Sequence, residues 1–106
     1  MPKYLVQASY TAEGTKGLLA EGGTGRRSAV ENVVKSCGGT LESLFFAFGD
    51  GDLYCVIDLP DDVSMAAISL NVRASGAIVS KTIPLITAED IDAAARKKVD
   101  FRAPGA

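Results

Sequence analysis

Histidine and tryptophan are absent from this chain of 106 residues. Without histidine there is no imidazole base for a Ser-His-Asp or Cys-His arrangement. There is equally no axial imidazole to hold a haem. Zinc would have to rely on thiolates and carboxylates, and no Cys-x-x-Cys pair is present. Cysteine is scarce: there are 2, Cys37 and Cys55. Each falls on the apolar side of its element, which favours buried reduced thiols over a disulfide or a nucleophile. A basic surplus is also missing, since 11 Lys and Arg face 13 Asp and Glu for a net charge of -2. General nucleic-acid binding, which needs cations to neutralise phosphates, is therefore not expected. No apolar run approaches the ~20 residues of a membrane span. Met1-Pro2-Lys3-Tyr4 leads straight into a strand pattern without the apolar stretch of a signal peptide. The expectation is a protein retained in a reducing cytoplasm, with no cofactor and no membrane or nucleic-acid partner.

What is present is apolar patterning. The hydrophobic share of 47% is ordinary for a globular chain, and the length suits one domain over residues 1–106. The richest stretch runs from Phe45 to Asp58. Phe, Tyr, Val and Ile flank Gly49-Asp50-Gly51-Asp52, the mark of two strands around a polar turn. A four-residue loop would pair Phe48 with Leu53, Phe46 with Cys55 and Leu44 with Ile57. Because side chains alternate along a strand, these six share one apolar face. The opposite face carries Ser43, Phe45, Ala47, Tyr54, Val56 and Asp58. It is mixed rather than polar, so something other than water is expected to cover part of it.

The remaining elements follow in order. Lys3 to Ser9 alternates as a strand, with Tyr4, Val6 and Ala8 on one side and Leu5, Gln7 and Ser9 on the other. Gly14 and Gly17 predict that any helix between Thr11 and Ala20 is short and irregular. Glu21 to Gly25 is a breaker cluster. Val30, Val33, Val34 and Cys37 then recur at helical spacing. The start of that helix is set near Ser28, which with Glu31 has the spacing of a capping box, or earlier near Thr24. Gly38-Gly39 ends it. Pro60-Asp61-Asp62 opens a second helix, its carboxylates matched to the helix dipole. Val63, Ala66, Ala67, Leu70 and Ala74 form its expected buried stripe, widened by Met65, Ile68 and Val72. Ala77 to Ile83 is the fourth strand. Pro84 requires its pairing to stop or the strand to lie at an edge. Thr87-Ala88-Glu89-Asp90 caps a terminal helix with Ile91, Ala94, Ala95 and Lys98 in register. An extended tail follows.

Strand, helix, strand, strand, helix, strand and an appended helix make an α+β chain of the ferredoxin-like βαββαβ type, with a four-stranded antiparallel sheet and both main helices on one face. The chain resembles the GYD domain family along nearly its whole length. The resemblance rests on Lys3-Tyr4-Leu5-Val6, on Gly38-Gly39, on Phe48-Gly49-Asp50-Gly51-Asp52, on Asp58-Leu59-Pro60-Asp61-Asp62, on Leu85-Ile86-Thr87-Ala88-Glu89, and on the tail Phe101-Arg102-Ala103-Pro104-Gly105. In the tail Ala103 replaces a proline. In the turn that names the family, Gly49 and Asp52 match and Gly51 stands where a tyrosine belongs. The resemblance implies a small soluble protein with a dimeric α/β-barrel architecture, and it brings no activity or cofactor with it.

Chemistry is expected first on the sheet face turned away from the helices. By parity it carries Gln7, Ser9, Ser43, Phe45, Tyr54, Val56 and Asp58, with Thr82 or Lys81 from the fourth strand. Two such faces meeting in a homodimer or higher homo-oligomer would enclose a pocket of mainly apolar character with a few converging polar groups. Gln7, Ser9, Ser43, Tyr54 and Asp58 are its ligand-binding candidates. One reading makes the protein a binding or structural module. The other makes it a cofactor-independent enzyme on a small organic molecule, with Asp58 as base and Tyr54 as hydrogen-bond donor. A blander reading pairs Asp58 with Ser43 across strands. Gly22 to Ser28 could hold an anion at a helix N-terminus with Arg26 and Arg27, although it matches no nucleotide fingerprint and also reads as a flexible turn. Asp50 and Asp52 could share a hard cation, but two carboxylates fall short of the six to eight oxygens calcium takes, and turn chemistry accounts for them. Arg96-Lys97-Lys98 is dipole-matched surface charge.

Overall fold

A computed structural model describes residues 1–106. The elements are β1 (Lys3–Tyr10), α1 (Ala12–Ser36), β2 (Thr40–Phe46), β3 (Leu53–Asp58), α2 (Asp62–Ala74), β4 (Ile78–Leu85) and α3 (Ala88–Arg96). The strands form one antiparallel sheet in the order β2-β3-β1-β4. This is the ferredoxin-like arrangement expected, with a helix appended. The core lies between the sheet and α1 and α2, around Tyr4, Ala8, Val34, Leu53, Cys55, Ile57, Leu59 and Met65. Pro84 sits within β4 opposite Tyr4. The edge position of β4 lets it do so without breaking a shared ladder.

The helix boundaries follow from local chemistry. The Thr11 hydroxyl accepts from Gly14 N–H at 3.2 Å and caps α1. The helix runs on through the expected breaker cluster and is interrupted only at Gly22, whose φ of 77° produces a kink. Gly14, Gly17, Gly23 and Gly25 are thus held in helix. No helix starts at Ser28, so the capping box expected there does not form: Ser28 lies in the interior of the second half of α1. At the C-terminus Gly38 takes φ 78°, and Gly39 N–H returns to the Val34 carbonyl at 3.0 Å. This satisfies carbonyls that a helix end leaves open. Asp61 caps α2 through Ser64 N–H at 2.8 Å, and Thr87 with Asp90 forms the expected capping box of α3.

Three sequence expectations need correction. First, β2 pairs Phe46 with Leu53 and Leu44 with Cys55, two residues away from the expected register. The loop is Ala47 to Asp52, and Phe48 is fully exposed instead of paired. The hairpin closes early because Asp52 is held elsewhere: its N–H donates to the Ala8 carbonyl at 2.8 Å and its carboxylate accepts Tyr10 N–H at 2.9 Å. A slip of two preserves the faces, so Leu44 and Phe46 still point to the helices. Second, a bulge between Leu41 and Ser43 puts Leu41 opposite Ile57 and Ser43 opposite Val56. Third, α2 turns a different side to the sheet. Met65 is buried and Ile68 packs on the core. Val63 and Leu70 are 77% and 70% exposed. The stripe with larger side chains wins over one rich in alanine, because it removes more apolar area from water.

The two main helices leave a gap. α1 packs over β2 and β1, and α2 over β4, without close packing between the helices. Beyond Leu85 every residue is exposed. The radius of gyration is 17.0 Å, against about 13 Å for a compact chain of this length. The C-terminal helix and tail therefore project from the body.

Candidate functional site

The face of the sheet turned away from the helices is bare. Cross-strand pairing sets Lys3 beside Asp58 and Leu85, Leu5 beside Val56 and Ile83, Gln7 beside Tyr54 and Lys81, and Ser9 beside Val79. Lys81 belongs to this face, while Thr82, paired with Val6, faces the helices. Phe45, opposite Tyr54, is 72% exposed, and Val79 and Ile83 are 59% and 44% exposed.

The five sequence candidates separate into two groups. Gln7, Ser9 and Tyr54 gather beside the 49–52 turn. The Ser9 hydroxyl donates to the Asp50 carbonyl at 3.3 Å. Gln7, Ser9, Asp50, Val79 and Lys81 line a shallow concavity there. Gly51 is buried under the same corner: a Cβ on it would lie 2.6 Å from Gln7 Cγ and 3.1 Å from the Tyr54 hydroxyl. Tyr54 thus reaches back over the turn and occupies the space beside residue 51.

Asp58 lies at the other end of the sheet. It is four residues along β3 from Tyr54, or about 13 Å at strand rise. Its carboxylate pairs with Lys3 Nζ at 3.0 Å. Lys3 also donates to Glu42, and these two acids, Glu42 first, raise the lysine above its ordinary value. Ser43 stands opposite Val56 and makes no pair with Asp58. Tyr54 and Asp58 are therefore not brought together as donor and base.

A second concavity lies on the core side, between α1, α2 and the sheet. It is a cavity of about 80 Å³, and 13 of its 16 lining residues are hydrophobic. Val6, Leu53, Ile68 and Val72 are typical of the lining, and Arg26 and Tyr10 also belong to it. Arg26 Nε and the Tyr10 hydroxyl are buried without a hydrogen-bond partner. Burial pushes the Tyr10 hydroxyl up, and the adjacent Arg26 guanidinium partly offsets this. Arg26 belongs to the stretch read as an anion-holding helix N-terminus. Non-helical Gly22 divides α1 into two helical segments, so the second begins just after it, close to the Thr24 start that the sequence allows; Arg27 pairs with Glu31 at 4.0 Å, and Arg26 lines the cavity. The signal was available, since Arg26 stands four and seven positions before Val30 and Val33, on their helical face.

Cys55 also lines this cavity, and burial pushes its thiol up to about 11. It is protonated at neutral pH and is not a nucleophile. Cys37 and Cys55 are both free. The Asp52 carboxylate is engaged by Tyr10 N–H, and no three Cys, Asp or Glu side chains come together as metal ligands. No helix is long and apolar enough to cross a membrane.

The GYD domain family model matches residues 4–95. This chain belongs to the GYD domain family. No curated protein matches it. In this GYD domain the altered turn has a structural counterpart: Gly51 admits the close approach of Gln7 and Tyr54 that a larger residue would obstruct.

Proposed function

We propose that this GYD domain protein is a homo-oligomeric binding or structural module, most simply a dimer joined through the open sheet faces. The observation that carries this reading is the uncovered face itself. Phe45, Val79 and Ile83 stand exposed on it, with Leu5 and Val56 between them. An antiparallel sheet with a solvated face is normally polar there. Four strands of six to eight residues present roughly 20 × 24 Å. With side-chain relief this approaches the ~800 Å² each partner gives to a standard interface. The charges on the face nearly balance, Lys3 and Lys81 against Glu42 and Asp58. A face of that kind meets a copy of itself without net repulsion.

In such a dimer the corner at Gln7, Ser9 and Tyr54 becomes the semi-enclosed place for a small ligand. The enzymatic alternative loses its geometric basis in the separation of Tyr54 from Asp58. Sedimentation equilibrium at micromolar concentration tests the assembly. A dimer or larger closed oligomer is expected, and a monomer throughout the range would overturn the reading.

A further inference from the structure

Residues 86–106 are exposed throughout, and α3 shares no close packing with any other element of its own chain. Yet α3 is amphipathic. Ala88, Ile91, Ala94 and Ala95 fall on one side at helical spacing, and Glu89, Asp92 and Arg96 on the other. α2 presents a surface that fits it. Val63, Ala66, Ala67, Leu70 and Ala74 form a regular apolar stripe turned to solvent, with Val63 and Leu70 77% and 70% exposed. The alanines between the two larger residues let a second helix come close. Charge then sets a direction. α3 opens on Glu89, Asp90 and Asp92 and closes on Arg96, followed by Lys97 and Lys98. α2 opens on Asp61 and Asp62 and closes on Arg73. Laid antiparallel, each acidic end meets a basic end, and the helix dipoles agree with that order. The cations are free to do so, because the ion pairs of the chain involve only Lys3 and Arg27.

The chain's own α3 cannot take that position. β4 leaves the sheet at Leu85, which pairs with Lys3, and Lys3 also pairs with Asp58, just before α2 opens. α3 therefore starts at the end of the sheet where α2 starts. Folded back from there it would lie parallel to α2, with Glu89 and Asp90 against Asp61 and Asp62. An antiparallel arrangement has to begin at the far end of α2, a helix of 13 residues, which is about 20 Å away at helical rise. Ile86 and Thr87, which alone join β4 to α3, span about 10 Å at full stretch. We infer that the exposed stripe of α2 is the docking surface for α3 of a second copy of this chain. The two helices lie antiparallel, Ile91 against Leu70 and Ala95 against Ala67, with the basic end of α3 over Asp61 and Asp62. A two-fold arrangement makes the exchange reciprocal and uses every contact twice. The inference does not rest on the sheet-face dimer, because α2 and the open face lie on opposite sides of the sheet.

The test is paramagnetic broadening between copies of the full chain. A nitroxide is attached at Ala93→Cys, on the polar side of α3, in an unlabelled chain that also carries Cys37→Ser; Cys55 is buried. This chain is mixed with ¹⁵N-labelled parent, and the reduced nitroxide serves as control. Amides of the labelled α2, from Val63 to Ala74, should broaden, and the broadening is intermolecular because the labelled chain has no nitroxide. Ile91→Glu in the nitroxide chain, or Leu70→Glu in the labelled chain, should remove it. Arg73→Glu in the labelled chain should weaken the association a few-fold, and Glu89→Lys in the nitroxide chain should restore it, which only the antiparallel order allows. No broadening of α2, broadening confined to Tyr54 and Val79 on the open face, or broadening that survives both Ile91→Glu and Leu70→Glu would overturn the inference. Failure of Glu89→Lys to restore would overturn the antiparallel order. Leu70, Arg73, Glu89, Ile91 and Ala93 are all exposed, so the variants keep a dispersed spectrum. Phe45→Ala, which weakens the sheet-face dimer, should leave the broadening of α2 in place. Its loss there would assign the signal to the sheet-face dimer and sink the exchange of α3 alone.

Discussion

Phe45 gives the sharpest test of the uncovered face. It stands on β2 opposite Tyr54 with 72% of its surface in solvent. Full burial of a phenylalanine is worth about 1.5–3 kcal/mol, so covering the exposed part contributes about 1–2 kcal/mol per copy. A two-fold interface uses the residue twice. Phe45→Ala should therefore weaken a dimer by about 2–4 kcal/mol, which is roughly 30- to 700-fold in dissociation constant. Only the remaining quarter of the side chain packs within its own chain. The dilute monomer should lose less than about 1 kcal/mol, a few degrees in Tm. Sedimentation equilibrium of parent and variant gives the first quantity, and thermal unfolding by circular dichroism below the dissociation constant gives the second. A change in dissociation constant smaller than about tenfold, with the monomer intact, would show that Phe45 is not covered and that this face does not join copies as argued.

Four further outcomes are expected. Gly39→Ala would place Cβ 2.2 Å from the Asp58 carbonyl oxygen and 2.7 Å from Leu59 Cδ2. Backbone cannot yield there, so a loss of about 2–3 kcal/mol or more and a Tm lower by roughly 10 °C are expected, whereas Gly49→Ala, with open space around it, should be silent in the same melt. A thiol reagent at pH 8 should label half-buried Cys37 quickly and Cys55 only on unfolding, as counted by mass spectrometry; fast labelling of both would contradict the burial of Cys55. The Cys55 thiol ionises near 9.0 in the ordinary state and about 11 when folded, so its contribution to stability is intact below pH 9 and declines as pH rises through 11; Cys55→Ala should remove that component of an alkaline unfolding profile. Finally, deleting residues 88–106 removes only exposed groups, and the dilute monomer should keep its Tm within about 2 °C; a larger fall would mean that α3 is docked on its own chain.

The topology was legible because it depends on features that sequence carries locally. Alternation along Lys3–Ser9 and Leu53–Asp58, glycine at position 38 and the Thr87–Asp90 capping box each act within a few residues. Face assignment survived even where register did not, since a slip of two leaves parity unchanged. The register itself was set by a third strand. Asp52 bonds β1 at Ala8 and Tyr10, and nothing inside the 45–58 stretch signals that commitment. The stripe on α2 was misread for a related reason. Val63, Ala66, Ala67, Leu70 and Ala74 form an apolar row as regular as Met65, Ile68 and Val72, and which row faces inward depends on the sheet beneath. The Tyr4 hydroxyl donating to Asp62 at the first turn helps to fix that rotation.

The two candidate sites differ in legibility for a physical reason. The open sheet face could be named from parity, because every residue on it was assigned by alternation alone. What parity cannot supply is distance along the strand: Tyr54 and Asp58 share a face yet stand about 13 Å apart, and Lys3 draws Asp58 to the far rim. The helix-side cleft was hidden by the glycines around Arg26. Read as breakers, they turn Gly22 to Ser28 into a loop, and an arginine in a loop is ordinary surface charge. Once Gly23 and Gly25 are helical and Gly22 alone bends the chain, Arg26 falls on the face of Val30 and Val33 and reaches the cavity between helices and sheet. Arg26 is half-buried there, with its Nε–H and the Tyr10 hydroxyl at the same lining and no acid of its own chain paired with it.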